Sequence, residues 1–357
     1  MPKFTVPPNF TGTAGDDTIV GEDLNKFPAI GIDILTGGFI STGLGNDTIT
    51  GTGQGGTGDS LYGGDGTGIA NSGSGILNTG DGNDTITGAG QGGTGEGFGV
   101  PDRNGGYYIG GSGGAGTGIS NTGILNTEKG NDIITGTGQG GTGDSGDDYG
   151  GGGAGTGISN TGLLDTGDGN DTITGVGSGG SDDSYSNGGN GGVGTGISND
   201  GVIDTGNGCD ILTGQATATI SGSAYGIYGK GTIKTGDGND KITATTTIND
   251  KITATSIINE VQQKVTIGGG INIDLGTGND YFKGFGTGTV DGGKGFDTLD
   301  LSAFNRSELT FSGVISGNVL NPANINFNNN GDVITLSTKG FENFIFADAS
   351  LSYSTLA

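Results

Sequence analysis

Apolar residues recur along the chain in fixed relation to one aspartate. Anchored on the last residue of G-x-G-N-D, that aspartate falls at Asp17, Asp47, Asp84, Asp132, Asp171, Asp210, Asp240, Asp280 and Asp297. Two places after it the residue is always apolar: Ile19, Ile49, Ile86, Ile134, Ile173, Leu212, Ile242, Phe282 and Leu299. Seven places before it the rule holds again, from Phe10, Ile40, Leu77, Leu125 and Leu164 through Ile203, Ile233, Ile273 and Val290. A third column lies thirteen places before, at Ile34, Ile119, Ile158, Ile197, Ile227 and Ile267, with Ile69 displaced from it. Short runs of β-branched residues bounded by Gly and Asn predict strands joined by tight turns. Each unit therefore holds three short strands, of the type GIS, GIL and TIT. No helical period of ten residues appears before SIINEVQQKV (256–265), which also reads as strand.

The steps between anchors are 30, 37, 48, 39, 39, 30, 40 and 17 residues. Longer units carry glycine-rich inserts such as GTGQGGTGDSGDDYGGGGAG (136–155), expected to be loops of free length. The 40-residue step contains a tandem copy, DKITATTTIN followed by DKITATSIIN, and without it the period is 30. Repeats of this size predict a solenoid. The expected fold is all-β: a right-handed parallel β-solenoid of about 30–40 residues per unit, one unit per coil. Residues 1–16 are expected to cap its N-terminal end, 17–300 to form the coils, and 301–357 to form a C-terminal β cap. The short final step places any change of coil geometry near 280–297.

Composition narrows the chemistry. The 357 residues include 88 glycines, no histidine, no tryptophan and one cysteine, Cys209. That excludes a disulfide framework within the chain and disfavours zinc, haem or iron–sulfur centres. No segment is long and apolar enough to span a membrane, and the N-terminus lacks the apolar core of a cleaved signal. Such a chain is either cytosolic or exported by another route. The net charge is −25, and of 38 acids only six are glutamate, leaving 32 aspartates. So acidic a chain repels phosphate, which sets nucleic acid aside. Aspartate instead suits Asx turns and ligation of hard cations from a short stem.

Glycines in G-D-G-N-D permit a turn that aims carbonyl oxygens at one point, and the Asp adds a carboxylate. Stacked turns would then cage a cation, while without one the carboxylates would repel and loosen the chain. The same residues are compatible with Asx turns that hold no metal.

This pattern resembles the nonapeptide GGxGxDxUx of the RTX (repeats-in-toxin, hemolysin-type calcium-binding) family. LGTGNDYFK (275–283) and GGKGFDTLD (292–300) match it best, and TGDGNDTIT (79–87 and 166–174) departs only at the first Gly. TEKGNDIIT (127–135) loses a second Gly and stands outside the expected ligand set, and TGNGCDILT (205–213) puts Cys209 in the Asn place. The resemblance covers roughly residues 12–300, although the family's nonapeptides run uninterrupted. It implies calcium in the turns of a β-roll or solenoid, with Asp47, Asp84, Asp171, Asp210, Asp240, Asp280 and Asp297 as carboxylate ligands. The segment DGGKGFDTLDLSAF with FENFIFAD is similar to the C-terminal regions of proteins exported by type I secretion, implying a secreted or cell-surface protein that folds on extracellular calcium.

No catalytic constellation is evident. The pairs Asp147/Asp148 and Asp182/Asp183 read as solvated loop charges, and Arg103 and Arg306 are the only arginines. The chain is therefore not expected to be an enzyme; a polysaccharide-acting β-helix enzyme is the least favoured reading. A structural protein that self-associates into a surface layer, fibril or matrix is expected first. A calcium-dependent adhesin, or an ice or glycan binder contacting surface polysaccharide through rows such as Thr48/Thr50, Thr85/Thr87 and Thr172/Thr174, is the alternative.

Overall fold

In the computed structural model the described residues are 2–57, 61–100, 106–144, 150–181, 191–219, 222–249, 263–316 and 319–352. They are almost entirely β, in one 19-stranded and one 11-stranded sheet that together nearly close around a common axis. Three files of parallel strands build this wall. The first includes Gly66–Asn71, Gly116–Asn121, Gly155–Asn160 and Gly194–Asn199; the second includes Ile76–Asn78, Ile124–Asn126, Leu163–Asp165 and Val202–Asp204. The third includes Thr48–Gly55, Thr85–Gln91, Ile133–Gln139, Thr172–Ser178 and Ile211–Thr219.

Register follows the aspartate anchor. Ile134 pairs with Ile86 on one side and Ile173 on the other, and Leu125 pairs with Leu77 and Leu164. Both columns face inward and are buried from end to end, apart from the partly buried Phe10. A shift of one residue would turn every such side chain outward, so the alternation fixes the pairing.

The third column needs a correction. Ile69 is not displaced: it pairs with Ile119 and with Ile32, whereas Ile34 pairs with Asn71. The corner after the first strand is two residues longer in these early rungs (Asn71 to Ile76, against Asn121 to Ile124), so counting back thirteen from the aspartate falls two residues short.

The glycine-rich inserts also differ from free loops. Past the isoleucine, the inward positions of Thr48–Gly55, Thr85–Gln91, Ile133–Gln139 and Thr172–Ser178 are glycines that lie against backbone of the first file. A Cβ on Gly138 would sit 1.9 Å from the Thr156 carbonyl oxygen, and one on Gly90 1.9 Å from that of Thr117. No side chain fits between the two sheets there. Beyond the strands the contact becomes a hydrogen-bonded zigzag between layers: Gly114 N–H donates to Gly93 O, Gly141 to Gly114, Gly153 to Gly141, Gly180 to Gly153 and Gly192 to Gly180, at 2.8–2.9 Å. On this side of the interior glycine backbone packs directly on glycine backbone. Along this zigzag the backbone amides are met by backbone carbonyls of the facing layer.

At the 17-residue step, Gly286–Asp291 still pairs in parallel with Ile267–Asp274, with a register shift between Ile267 and Ile271. Past it the topology changes. Leu309–Ser316, Val319–Asn329 and Asp332–Lys339 pair antiparallel, while Asp332–Lys339 extends the wall in parallel from Gly286–Asp291. Phe285, Phe304 and Phe327 pack edge to face at this end, with centroids 4.8–6.5 Å apart. SIINEVQQKV apart from its last three residues, the second tandem copy, Arg103 and both loop aspartate pairs lie outside the described residues.

Candidate metal centre

Each G-x-G-N-D turn links the second file to the third, and the turns lie one over another. The bend places two residues at positive φ, and glycine fills both in most rungs. In the turn 166–171, Gly167 has φ +83° and Gly169 φ +150°, and a Cβ on Gly169 would fall 1.5 Å from the carbonyl oxygen of Gly130 in the rung before. The carbonyl of each such glycine thus abuts the next turn; it does not point at a common centre within its own turn. Glu128 occupies the place of Gly167 at φ +62°, so the turn that loses a glycine keeps its shape.

All seven aspartates expected as ligands stand in one file, and the structure adds Asp132 to them. They are 0–2 % exposed. In every rung Oδ1 accepts the backbone N–H of the preceding aspartate: Asp47 from Asp17, Asp84 from Asp47, Asp132 from Asp84, Asp171 from Asp132 and Asp210 from Asp171, at 2.7–2.8 Å. Asp240, Asp280 and Asp297 continue the file. It ends on Glu342, whose Oε2 takes the N–H of Asp297. Neither Asp132 nor Glu342 was expected: the first was set aside for its missing glycine, and the second lies 45 residues from its partner in sequence.

Oδ2 tells a different story. In Asp47, Asp84, Asp132, Asp171, Asp210, Asp240, Asp280 and Asp297 it is buried without a hydrogen-bond partner. A file of buried threonines runs beside them, five residues before each aspartate in Thr42, Thr79, Thr127, Thr166, Thr205 and Thr235. Their hydroxyls mostly donate onward, as Thr166 does to Thr205 O at 3.2 Å. Burial pushes Asp171 and Asp280 up to about 7, and Asp132, Asp210 and Asp297 up to about 6. Backbone N–H groups, and for Asp132, Asp171 and Asp210 the adjacent Thr127, Thr166 and Thr205 hydroxyls, pull the other way and do not compensate; neighbouring carboxylates add to the rise. Burial raises Asp84 and Asp240 too.

The neighbouring Asn forms a matching file outside. Asn131 Oδ1 accepts Asn170 N–H, and Asn170 Oδ1 accepts Cys209 N–H. The aspartate amides donate up the stack, to the following rung, and the asparagine amides donate down it, so each pair of turns is clamped from both sides. Cys209 is exposed in this outer file and has no oxygen to pass on.

A further asparagine file, unanticipated in the sequence, is buried at the end of the first strand. Asn121 Nδ2 donates to Asn160 Oδ1 and to Leu163 O, and Asn160 repeats this with Asn199 and Val202 O. The GISN repeat carries the signal, but Asn two places before a Gly reads as a turn residue.

The donors at the aspartate file are all oxygen: carboxylate, peptide carbonyl and hydroxyl. Those are the ligands of a hard divalent cation. Each rung offers one free carboxylate oxygen, and among the described residues no three acidic or cysteine side chains converge on one point. Any ion held here must draw ligands from more than one rung. No protein-family model matches the chain, and no curated protein or solved structure matches it.

Proposed function

We propose that this chain is a secreted, calcium-binding structural protein related in its turns to RTX repeats. In this reading it is a right-handed parallel β-solenoid with one unit of 30–40 residues per coil, closed at its C-terminal end by the antiparallel strands. It folds on extracellular calcium, follows a type I export route, and self-associates into a cell-surface layer, fibril or matrix. It performs no catalysis.

One observation carries the reading: eight buried aspartates, each with an unpartnered Oδ2, stacked at the rung spacing of about 4.8 Å. A buried carboxylate without a partner destabilises the fold unless it is protonated or paired. Calcium bound there would supply the positive charge that the file lacks. Asp47, Asp84, Asp132, Asp171, Asp210, Asp240, Asp280 and Asp297 would present Oδ2 to it, while their Oδ1 atoms keep the turns in register. Extracellular modules bind calcium at about 10⁻⁴–10⁻³ M, which would keep the chain loose before export and order it afterwards.

The test is circular dichroism and calorimetry at neutral pH with calcium and then with a chelator. A β spectrum that needs millimolar calcium, with measurable heat of binding, is expected. A chain fully β in chelator that binds no calcium would falsify the proposal.

A second reading rests on Thr50, Thr87, Thr135, Thr174, Thr213 and Thr243, an unbroken row across six paired strands. Such a row suits an adhesin that binds ice or a surface polysaccharide.

A further inference from the structure

The outer face of the third file carries no charge over five successive strands, from Thr48–Gly55 to Ile211–Thr219. Four outward positions in each of the first four strands, and five in the last, hold Thr, Gln, Ile, Val, Ala or Ser, in a chain of net charge −25. Charge returns at both borders, with Glu22 in Thr18–Lys26 and Lys241 in Lys241–Asn249. Within the five strands the register is continuous, and Ile133 and Ile211 stand 46 % and 43 % exposed on it.

We propose that this face is where a second copy of the chain docks, sheet against sheet. The proposal rests on the self-association read above and names its surface. Three considerations select a second copy. A chain so acidic meets its own kind with least repulsion where charge is absent, since exposed charges more than about 10 Å from the contact are largely screened at ordinary salt. The partner's rows repeat at the same rung spacing, so rows of methyls and hydroxyls interdigitate along the whole length, as between the sheets of a sandwich. Area suffices as well. Five strands about 4.8 Å apart and seven residues at about 3.3 Å each give roughly 550 Å² per copy. The total of about 1,100 Å² clears the threshold of about 1,000 Å² for a specific interface.

The outer face of the first file is narrower, with Thr117 and Thr156 in a row that ends on the buried Thr195, and Ser120, Ser159 and Ser198 in the other. It serves as the control. Sedimentation of the full chain in calcium is compared for wild type, Thr135→Lys with Thr174→Lys, and Thr156→Lys, with circular dichroism confirming that each is folded. Wild type and Thr156→Lys should associate across the micromolar range. The double variant should associate at least ~100-fold more weakly, because like charges then meet face to face. If wild type stays monomeric, self-association itself falls. If wild type associates and the double variant does so equally well, self-association stands and this face is not its surface. Dissociation by Thr156→Lys alone would place the contact on the other sheet. A wild-type monomer that binds ice or an insoluble polysaccharide, and loses that binding in the double variant, would give the face to the other occupant and overturn the proposal.

Discussion

The backbone N–H of Asp171 donates to Oδ1 of Asp210 at 2.8 Å, and Oδ2 of both residues is buried without a partner. One oxygen of each carboxylate is thus structural and the other is free. The two roles can be separated by mutation.

Asp171→Asn retains an oxygen for the N–H of Asp132 and removes the buried charge. In chelator at neutral pH it should stabilise the chain, whereas in calcium it should weaken binding. Asp171→Ala removes the charge and the acceptor together and leaves the Asp132 amide unmet, so it should be about 1–3 kcal/mol less stable than Asp171→Asn in both conditions. Thermal melts of the two variants with and without calcium check the opposed signs. Equal behaviour of Asn and Ala in chelator would show that Oδ1 contributes nothing.

The same file sets a pH dependence. Carboxyls raised to about 6–7 in the fold bind protons more tightly folded than unfolded. Without metal their contribution to stability is full below the ordinary carboxylate range and is lost as pH rises through 6–7. In chelator the melting temperature should therefore fall between about pH 5 and pH 8. Saturating calcium should remove that fall. A melting temperature that rises over this interval in chelator would contradict burial as the cause.

Gly138→Ala places a methyl 1.9 Å from the Thr156 oxygen, on backbone that cannot rotate away. The two layers must separate locally, and the loss should reach or exceed about 3 kcal/mol. Gly15→Ala is the control, since a Cβ there meets only the Thr13 hydroxyl at 4.0 Å. Denaturant midpoints should move for the first and stay for the second.

Cys209→Asn restores the carboxamide that the outer file lacks at that rung. An acceptor then faces Asn239 N–H, and the variant should gain about 0.5–1.5 kcal/mol. Hydrogen exchange at Asn239 should slow with it.

Columns set by the aspartate were legible because strand period and turn length are constant around it; the pairing of Ile134 with Ile173 follows directly. Ile34 stands in the expected column where the structure puts Ile32, because the corner between the first and second strands varies by two residues and a one-dimensional count cannot see a longer corner close on the same column. The layered glycines were opaque for a different reason. Gly138 and Gly153 carry no side chain to show a period, so close packing of backbones and a flexible linker look alike in sequence. The aspartates themselves were legible as a file, but not the division of labour between Oδ1 and Oδ2, which depends on the vertical offset of adjacent turns. Asp132 was passed over because Glu128 replaces a glycine, yet the structure accommodates it at φ +62°.

The turns give and receive the same bonds. Asp171 takes an amide from below and hands its own amide upward, and Asn170 does the reverse. A coil copied and inserted between two others would therefore meet at each seam the surface it already fits. The 39-residue offsets from Asp132 to Asp171 and from Asp171 to Asp210 are what lengthening by whole-coil duplication would leave behind. Such a molecule can grow taller without redesigning any contact.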